Sequence, residues 1–443
     1  MIVRAAAPVN PRPCRRARNR IVSDVDSEAP ADTDYHLPLD LPRHVQPASA
    51  GPPGICRVTV SVRTPVMLLA RQLNFGGSER QVCEMAKALD PARFDVHVGA
   101  FYSGGARAQE VVDHGIPVVE VPVRSFKSPR NVLNAAMGLR RYIREHDIRI
   151  VHGFDPPTCA FLGFAAPLLR RAIVLTSQRN YRNVRTPMFR RLLRLSDRMG
   201  DGIVVNCEAM RRHLIQDEGR TRERIYLCYN GLDADRFQRS TAAADARVPH
   251  DALVIGTVCL FRQEKDLGTL VRAFAAMRES QPNLFLLMVG DGKERPGLEQ
   301  LVRELGIASR CLLAPAVAKV VPWLSRLDVF VLPSRFEACS NSLMEAMACG
   351  CACVASRIGG SPELLDDGRA GLLFEAGDVA GLAAQLRRLV ADAALRRELG
   401  HVAAHRMRSE FSLEIAATRL GAIYDTVVRA GARRPLRGWI PDA

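Results

Sequence analysis

From Val66 onward the chain alternates short apolar runs with amphipathic stretches, and this alternation limits the fold more than any other feature. VMLLA is followed by a helical pattern from about Ser78 to Leu89. FDVHVGA, a short helix, PVVEV, a long helix through Tyr142 and IRIVH come next, and AIVLT and IVVN continue the series. Short runs rich in branched apolar residues, separated by helix-length segments, predict parallel strands with covering helices in a doubly wound α/β domain. The first half ends near Asn230, Gly231, Leu232 and Asp233. Residues Ser240 to Ala246 are small and polar and read as a linker. A second series opens at ALVIGTVCL and runs through a helix from about Leu267 to Arg278, LFLLMVG, a helix to Leu305, CLLAP and VFVLP. The expected domains are 64–239 and 249–411, joined by a linker over 240–248. A last amphipathic helix spans 412–430, a tail occupies 431–443, and 1–63, with clustered Pro, Arg, Asp and Ala and no periodicity, reads as a disordered tail or an overextended start.

The second domain carries VFVLPSRFEACSNSLMEAMACGCACVASRIGG, from Val329 to Gly360. A strand from Val329 to Leu332 stops at Pro333, and a helix starts near Ser340 or Asn341 and ends at Gly350. Glu337 lies in the loop and Glu345 early in the helix. Backbone N–H groups at a helix start lack internal partners and, with the helix dipole, favour an anion such as a phosphate. Glu345 is placed to accept hydrogen bonds from the vicinal hydroxyls of a ribose, so the pair suits a sugar nucleotide. Taken alone, the same two residues describe a solvated helix face with a capping carboxylate.

SRFEACSNSLMEAMACG followed by SRIGGSPELLDDGRAGLLF resembles the retaining glycosyltransferases of family four, whose signature is a Glu, seven residues and a second Glu. The resemblance covers roughly Val66 to Tyr424. It departs at Ala338, where the family usually has Gly, and at Ala352, where it usually has Pro. It implies the GT-B architecture, with two Rossmann-like domains facing across a cleft and a C-terminal helix crossing back to the first. It also implies transfer of a sugar from a nucleotide diphosphate sugar to an acceptor hydroxyl, Glu337 on the donor-sugar hydroxyls and Glu345 on the ribose. The amides near Ser340, Asn341 and Ser342 then meet phosphate or sugar. Retention in this family is described as a front-face reaction in which the leaving phosphate helps take the acceptor proton.

Other stretches gain meaning from this setting. Gly76 and Gly77, in LNFGGSER, let a backbone approach a ligand without a Cβ in the way, and Ser78 is positioned to cap the helix. The resemblance places this loop over the donor diphosphate and near the acceptor, and Glu79 reads as a capping or packing residue. Arg262 and Lys265, in CLFRQEKD, are two cations able to stabilise charge on a leaving phosphate; the alternative is a solvated loop in which they pair with Glu264 and Asp266. Their positions match the family's Arg and Lys. Gly290, in Val289-Gly290-Asp291-Gly292, resembles a family turn near the nucleotide. The base is expected against backbone groups around Ala314 to Lys319. Asp233-Ala234-Asp235 formally matches a metal-binding Asp-x-Asp, but the resemblance makes these acids structural. No metal and no cofactor are expected, and the donor is a UDP- or GDP-sugar. His152, in IVHGFD, is a candidate for contact with the sugar or for proton movement, or else a hydrogen-bonded structural residue; Phe154 stands where many family members have a second His. Arg179 faces an acceptor phosphate or carboxylate, or pairs within the cleft. Glu363 is read as supporting.

The formal charge of +15 raises the possibility of nucleic acid or an anionic membrane as partner. Only five of the 62 basic residues are Lys, so part of the excess is compositional. Basic residues gather between Arg170 and Gly200 beside Phe189, Leu192, Leu193 and Leu195, a face suited to anionic headgroups or simply the exposed side of a helix. The stretch lacks interleaved aromatics apart from Tyr181 and Phe189, which argues against nucleic acid. The 12 cysteines show no framework spacing, pointing to reduced thiols in the cytoplasm, and the alternating Cys349, Cys351 and Cys353 read as packing residues more than as metal ligands. The first twenty residues hold six arginines and no apolar core, so no signal peptide is expected.

The expected protein is a cytoplasmic glycosyltransferase, peripheral at most on the inner face of the membrane, whose acceptor is a glycan or lipid-linked intermediate of a cell-surface polymer. The alternatives are a nucleotide-sugar epimerase or sugar phosphorylase of the same architecture, and a non-enzymatic basic protein that binds polyanions or membrane.

Overall fold

Thirteen strands among the described residues form two parallel sheets with the same strand order in their first six members, 3-2-1-4-5-6. The computed structural model describes residues 63–74, 76–182, 186–240, 245–277 and 283–431, all within one compact unit. The tail expected over 1–63 lies outside them apart from Arg63, as do 241–244 of the linker and the end of the chain from 432.

The first sheet contains β1 (Thr64–Ala70), β2 (Phe94–Ala100), β3 (Val118–Glu120), β4 (Ile150–Gly153), β5 (Ile173–Gln178), β6 (Gly202–Val205) and β7 (Ile225–Leu227), ordered β3-β2-β1-β4-β5-β6-β7. Its helices are α1 (Gly77–Ala88), α2 (Ala108–Val112), α3 (Pro129–Glu145), α4 (Pro156–Ala165), α5 (Pro187–Met199) and α6 (Glu208–Gln216). Capping sets several of their starts. Ser128 accepts from the Asn131 amide, and Asp155 forms a capping box with Thr158, each before a proline in the first turn.

The second sheet contains β8 (Leu253–Val258), β9 (Leu284–Val289), β10 (Cys311–Ala314), β11 (Val329–Leu332), β12 (Ala352–Ser356) and β13 (Leu372–Phe374), ordered β10-β9-β8-β11-β12-β13. Around it lie α7 (Leu267–Ala275), α8 (Arg295–Glu304), α9 (Val321–Arg326), α10 (Asn341–Ala348), α11 (Ser361–Leu364), α12 (Val379–Ala391) and α13 (Ala393–Ser409). Strands β7, β12 and β13 have short or Ala- and Cys-rich apolar runs, and the sequence pattern does not single them out.

The last helix, α14 (Leu413–Ala430), is capped by Ser412 and packs on the first sheet's layer. Leu413, Ala416, Leu420, Ile423 and Tyr424 share one apolar cluster with Leu68, Val82, Phe94 and Val98. The crossing back is therefore real. It is anchored where the Leu232 amide donates to the Phe411 carbonyl and the Leu413 amide donates to the Leu232 carbonyl. In each sheet the order reverses beside the first strand, between β1 and β4 and between β8 and β11, and in open α/β sheets ligands bind beyond the carboxyl ends of strands at such a point.

Candidate active site

The donor-side candidates sit where β11 turns into α10. Ser340 precedes the helix without capping it through its side chain, and its Oγ lies 3.2 Å from the Ser342 Oγ. The helix therefore presents uncapped amides. Glu345 follows one turn later and is 8% exposed. Beneath the loop, Gly359 has φ of +50°, and a Cβ there would lie 1.8 Å from the Glu337 carbonyl oxygen. Gly360 donates its amide to the Ala338 carbonyl at 2.8 Å. Ala338 does not have a positive φ, so its Cβ brings no left-handed strain where the family usually has Gly.

Both carboxylates hold cations. The Lys265 ammonium pairs with Glu337, and the Arg80 guanidinium pairs with Glu345. The solvated-loop alternative for Lys265 is thus not what the structure shows. Asp266, in a left-handed conformation, instead accepts from Arg335 at 2.9 Å and from the Thr269 hydroxyl at 2.8 Å. Arg262 is exposed and lies 3.8 Å from Glu264, apart from the Lys265–Glu337 pair. Burial works to lower the Lys265 pKa, but the charge and hydrogen bond of Glu337, together with Cys259 and Glu264, outweigh it, so the net direction is up. Burial pushes the Glu345 carboxyl up against the opposing pull of Arg80.

The glycine loop meets this helix from the first half. Gly76, not Ser78, occupies the N-cap of α1, with no side-chain bond; Ser78 lies inside the helix, which corrects the expected cap. The Asn341 side-chain Nδ2 donates to the Gly77 carbonyl at 3.2 Å. Its Oδ1 accepts from Asn230 at 2.8 Å and from Gln81 at 3.4 Å. Gln81 in turn exchanges hydrogen bonds with the Gly231 backbone at 2.9 and 3.1 Å. The first residue of α10 is thereby tied to α1 and to the segment after β7. On the far side, Gly290 and Gly292 have φ of +151° and +155°, and a Cβ at either would strike the Cys259 or Phe261 carbonyl. Their turn is pressed against the loop that carries Arg262 and Lys265.

His152 does not reach this site. It is fully buried, with Nδ1 2.8 Å from the Tyr424 hydroxyl and Nε2 2.8 Å from the Ser177 hydroxyl. Burial, and then Arg179, hold its pKa well below the usual histidine value. Both ring nitrogens are occupied in joining β4 and β5 to α14, and this corrects its candidacy as a proton carrier. Arg179 stacks 4.5 Å from the Phe154 ring centre and donates to Asn230 at 2.7 Å, while its Nε and Nη2 are buried without partners.

Glu363 accepts from the Glu208 and Ala209 amides at 2.8 and 2.7 Å and from the Tyr229 hydroxyl at 2.7 Å, so it caps α6 of the first half from the second. Asp233 pairs with Arg236 at 2.8 Å in the turn before the linker. Cys349, Cys351 and Cys353 pack in one cluster, although Cys349 caps α10 and only Cys353 lies in a strand. In the basic stretch Arg191, Arg194 and Arg198 are exposed, whereas Arg182 is buried against Asp197 and Glu218. The functional candidates that sequence reasoning missed are Arg80, Gln81 and Asn230. Nothing local marks them, because their partners lie in the other half.

Two family models match in tandem. Residues 75–236 match the model described as Glycosyltransferase Family 4 and residues 251–392 the model described as Glycosyl transferases group 1. Among curated relatives, the N-acetyl-alpha-D-glucosaminyl L-malate synthase of Bacillus anthracis is 36% identical over 169 residues, 38% of this chain and 44% of the relative. A lipopolysaccharide core biosynthesis glycosyltransferase of Rhizobium meliloti is 32% identical over 187 residues, 42% of this chain and 52% of the relative. The chain spans about half the length of the curated relatives it matches. Among solved structures, Anabaena HepE in complex with UDP-glucose superposes with a TM-score of 0.69 at 20% identity, covering 82% of this chain and all of that one. A Rickettsia africae glycosyltransferase gives 0.71 at 18% identity, covering 84% and 100%. These two likenesses establish the fold as GT-B. With one model matched to each half, in chain order, the chain belongs to the group 1 glycosyltransferases of family four.

Proposed function

We propose that the chain is a retaining glycosyltransferase that moves a sugar from a nucleotide diphosphate sugar to an acceptor hydroxyl. The observation that carries this reading is the uncapped start of α10 flanked by two carboxylates, Glu337 and Glu345, each paired with a cation. In this reading Glu345 accepts from the ribose hydroxyls and the α10 amides take the diphosphate. Glu337 holds sugar hydroxyls, and Gly76, Gly77 and Gly290 let the backbone close on the donor. The bond between the anomeric carbon and the phosphate oxygen breaks as the acceptor oxygen bonds to the same carbon from the same face. The acceptor proton passes to the departing phosphate, whose growing charge Lys265 and Arg262 stabilise. These cations supply what a divalent ion supplies elsewhere, so a metal-independent reaction is the reading we favour.

The donor is a UDP- or GDP-sugar, and the UDP and UDP-glucose complexes of HepE support a uridine nucleotide. The acceptor is a glycan or lipid-linked intermediate of a cell-surface polymer, supported by the lipopolysaccharide core relatives. No helix among the described residues is long and apolar enough to cross a membrane. The exposed Met188 and Leu195, at 81% and 45%, lie among the arginines of α5 and support peripheral contact with an anionic leaflet on the cytoplasmic side.

The test is the melting temperature of the folded protein against UDP, GDP and ADP, without and with magnesium. A ligand that binds only the folded state raises it by about 2.7 kcal/mol of stabilisation at a hundred times its dissociation constant. A rise with one nucleotide, needing no metal and lost in Glu345→Ala, is expected. No rise with any nucleotide overturns the reading.

A further inference from the structure

Glu345 has two claims on it. Its carboxylate holds the Arg80 guanidinium, and in the reading above it takes the ribose. The two side chains are only 16% and 10% exposed, so exchanging the cation for neutral hydroxyls strands a guanidinium in a site with little water. No other carboxylate among the described residues lies within ion-pair distance of Arg80. The guanidinium also lies over the Phe237 ring, 5.0 Å from its centre, a contact that does not depend on Glu345. Glu345 stands four residues after Asn341, one helical turn or about 6 Å of rise. Arg80 therefore waits about one turn from the amides on which a diphosphate would rest.

We propose that Arg80 is a donor-binding residue contributed by the first half: the arriving ribose takes Glu345 from it, and its guanidinium turns to the donor diphosphate. The proposal rests on the nucleotide-site reading above. The bridge between Arg80 and Glu345 gives way to one between Arg80 and phosphate. A nucleoside breaks the pair and gives Arg80 nothing in return. A nucleoside diphosphate breaks it and supplies the replacement anion.

Calorimetric titration with UDP, GDP and ADP, each beside its own nucleoside, tests this on wild type, Arg80→Gln and Arg80→Lys. For the base that binds, Arg80→Gln is expected to weaken the diphosphate by roughly ten- to a hundredfold, the range of a charge-assisted hydrogen bond, and to leave the nucleoside as tight or tighter. Arg80→Lys, which keeps the charge and loses the planar fork, falls between. Equal or tighter diphosphate binding in Arg80→Gln reduces the pair to a latch and overturns the proposal. Equal weakening of diphosphate and nucleoside also overturns it, since Arg80 then only orders Glu345. If circular dichroism shows Arg80→Gln unfolded, Arg80→Lys decides by the same comparison. Wild type that binds none of the six ligands removes the nucleotide site itself, a different failure from either.

Discussion

Arg80 and Glu345, 265 residues apart in sequence, meet as an ion pair that joins the first helix of one α/β half to the helix after β11 in the other. An ion pair with so little water around it is costly to break from one side. Glu345→Gln keeps the shape and removes the charge, so it is expected to cost about 1–3 kcal/mol in urea unfolding, below the full cost of breaking a deeply buried pair. The same variant is expected to lose the nucleotide-induced rise in melting temperature. An unchanged rise would show that the ribose is held elsewhere.

Lys265 faces Glu337 and not the acids beside it in sequence. If its charge serves the leaving phosphate, Lys265→Met should lower turnover of the donor by about 10²–10³, as loss of a fixed group at a developing charge does. Nucleoside diphosphate affinity should fall far less. Single-turnover rates beside equilibrium binding separate the two, and a loss confined to binding would remove Lys265 from the chemical step.

Gly359 is the residue that lets the loop carrying Glu337 lie where it does. Its φ of +50° is left-handed, and an added Cβ would meet the Glu337 carbonyl at 1.8 Å. Gly359→Ala is expected to cost about 1–3 kcal/mol and to impair donor turnover, because relief of the clash moves Glu337. Gly297, with open space around its Cβ position, is the control, and Gly297→Ala should leave turnover unchanged. Equal effects of the two substitutions would show that the close approach is unimportant.

His152 is held neutral by burial, with its folded pKa well below the unfolded value near 6.5. Below that pH the unfolded chain binds a proton that the folded chain does not. Stability therefore rises with pH through this window and is lost as the pH falls, by up to about 1.4 kcal/mol per pH unit for one proton. His152→Gln should be less stable at pH 8 by about 1–3 kcal/mol through its lost hydrogen bonds. The gap to wild type should narrow between pH 6.5 and 5. A gap that stays constant would mean that the ring takes up its proton in the folded state as freely as in the unfolded one.

The two parallel sheets are legible in local pattern, since apolar runs such as VMLLA and LFLLMV, separated by helix-length amphipathic segments, read as buried parallel strands. The turn from β11 into α10 is legible in the same way, because Pro333 stops a strand and the apolar spacing after Ser340 starts a helix. Both are local signals, carried by residues within one or two turns of each other. What those residues face depends on the packing of the two halves. Lys265 has two acids beside it in sequence and pairs with a third 72 residues away. His152 stands at a strand end, as a catalytic residue can, yet α14 covers it with Tyr424, 272 residues later. Arg80 looks like any solvated cation on a helix until the second half lays Glu345 against it. Side-chain partners across a cleft depend on how two sheet layers dock, and docking is set by the shape and burial of whole faces, which no stretch of a dozen residues records.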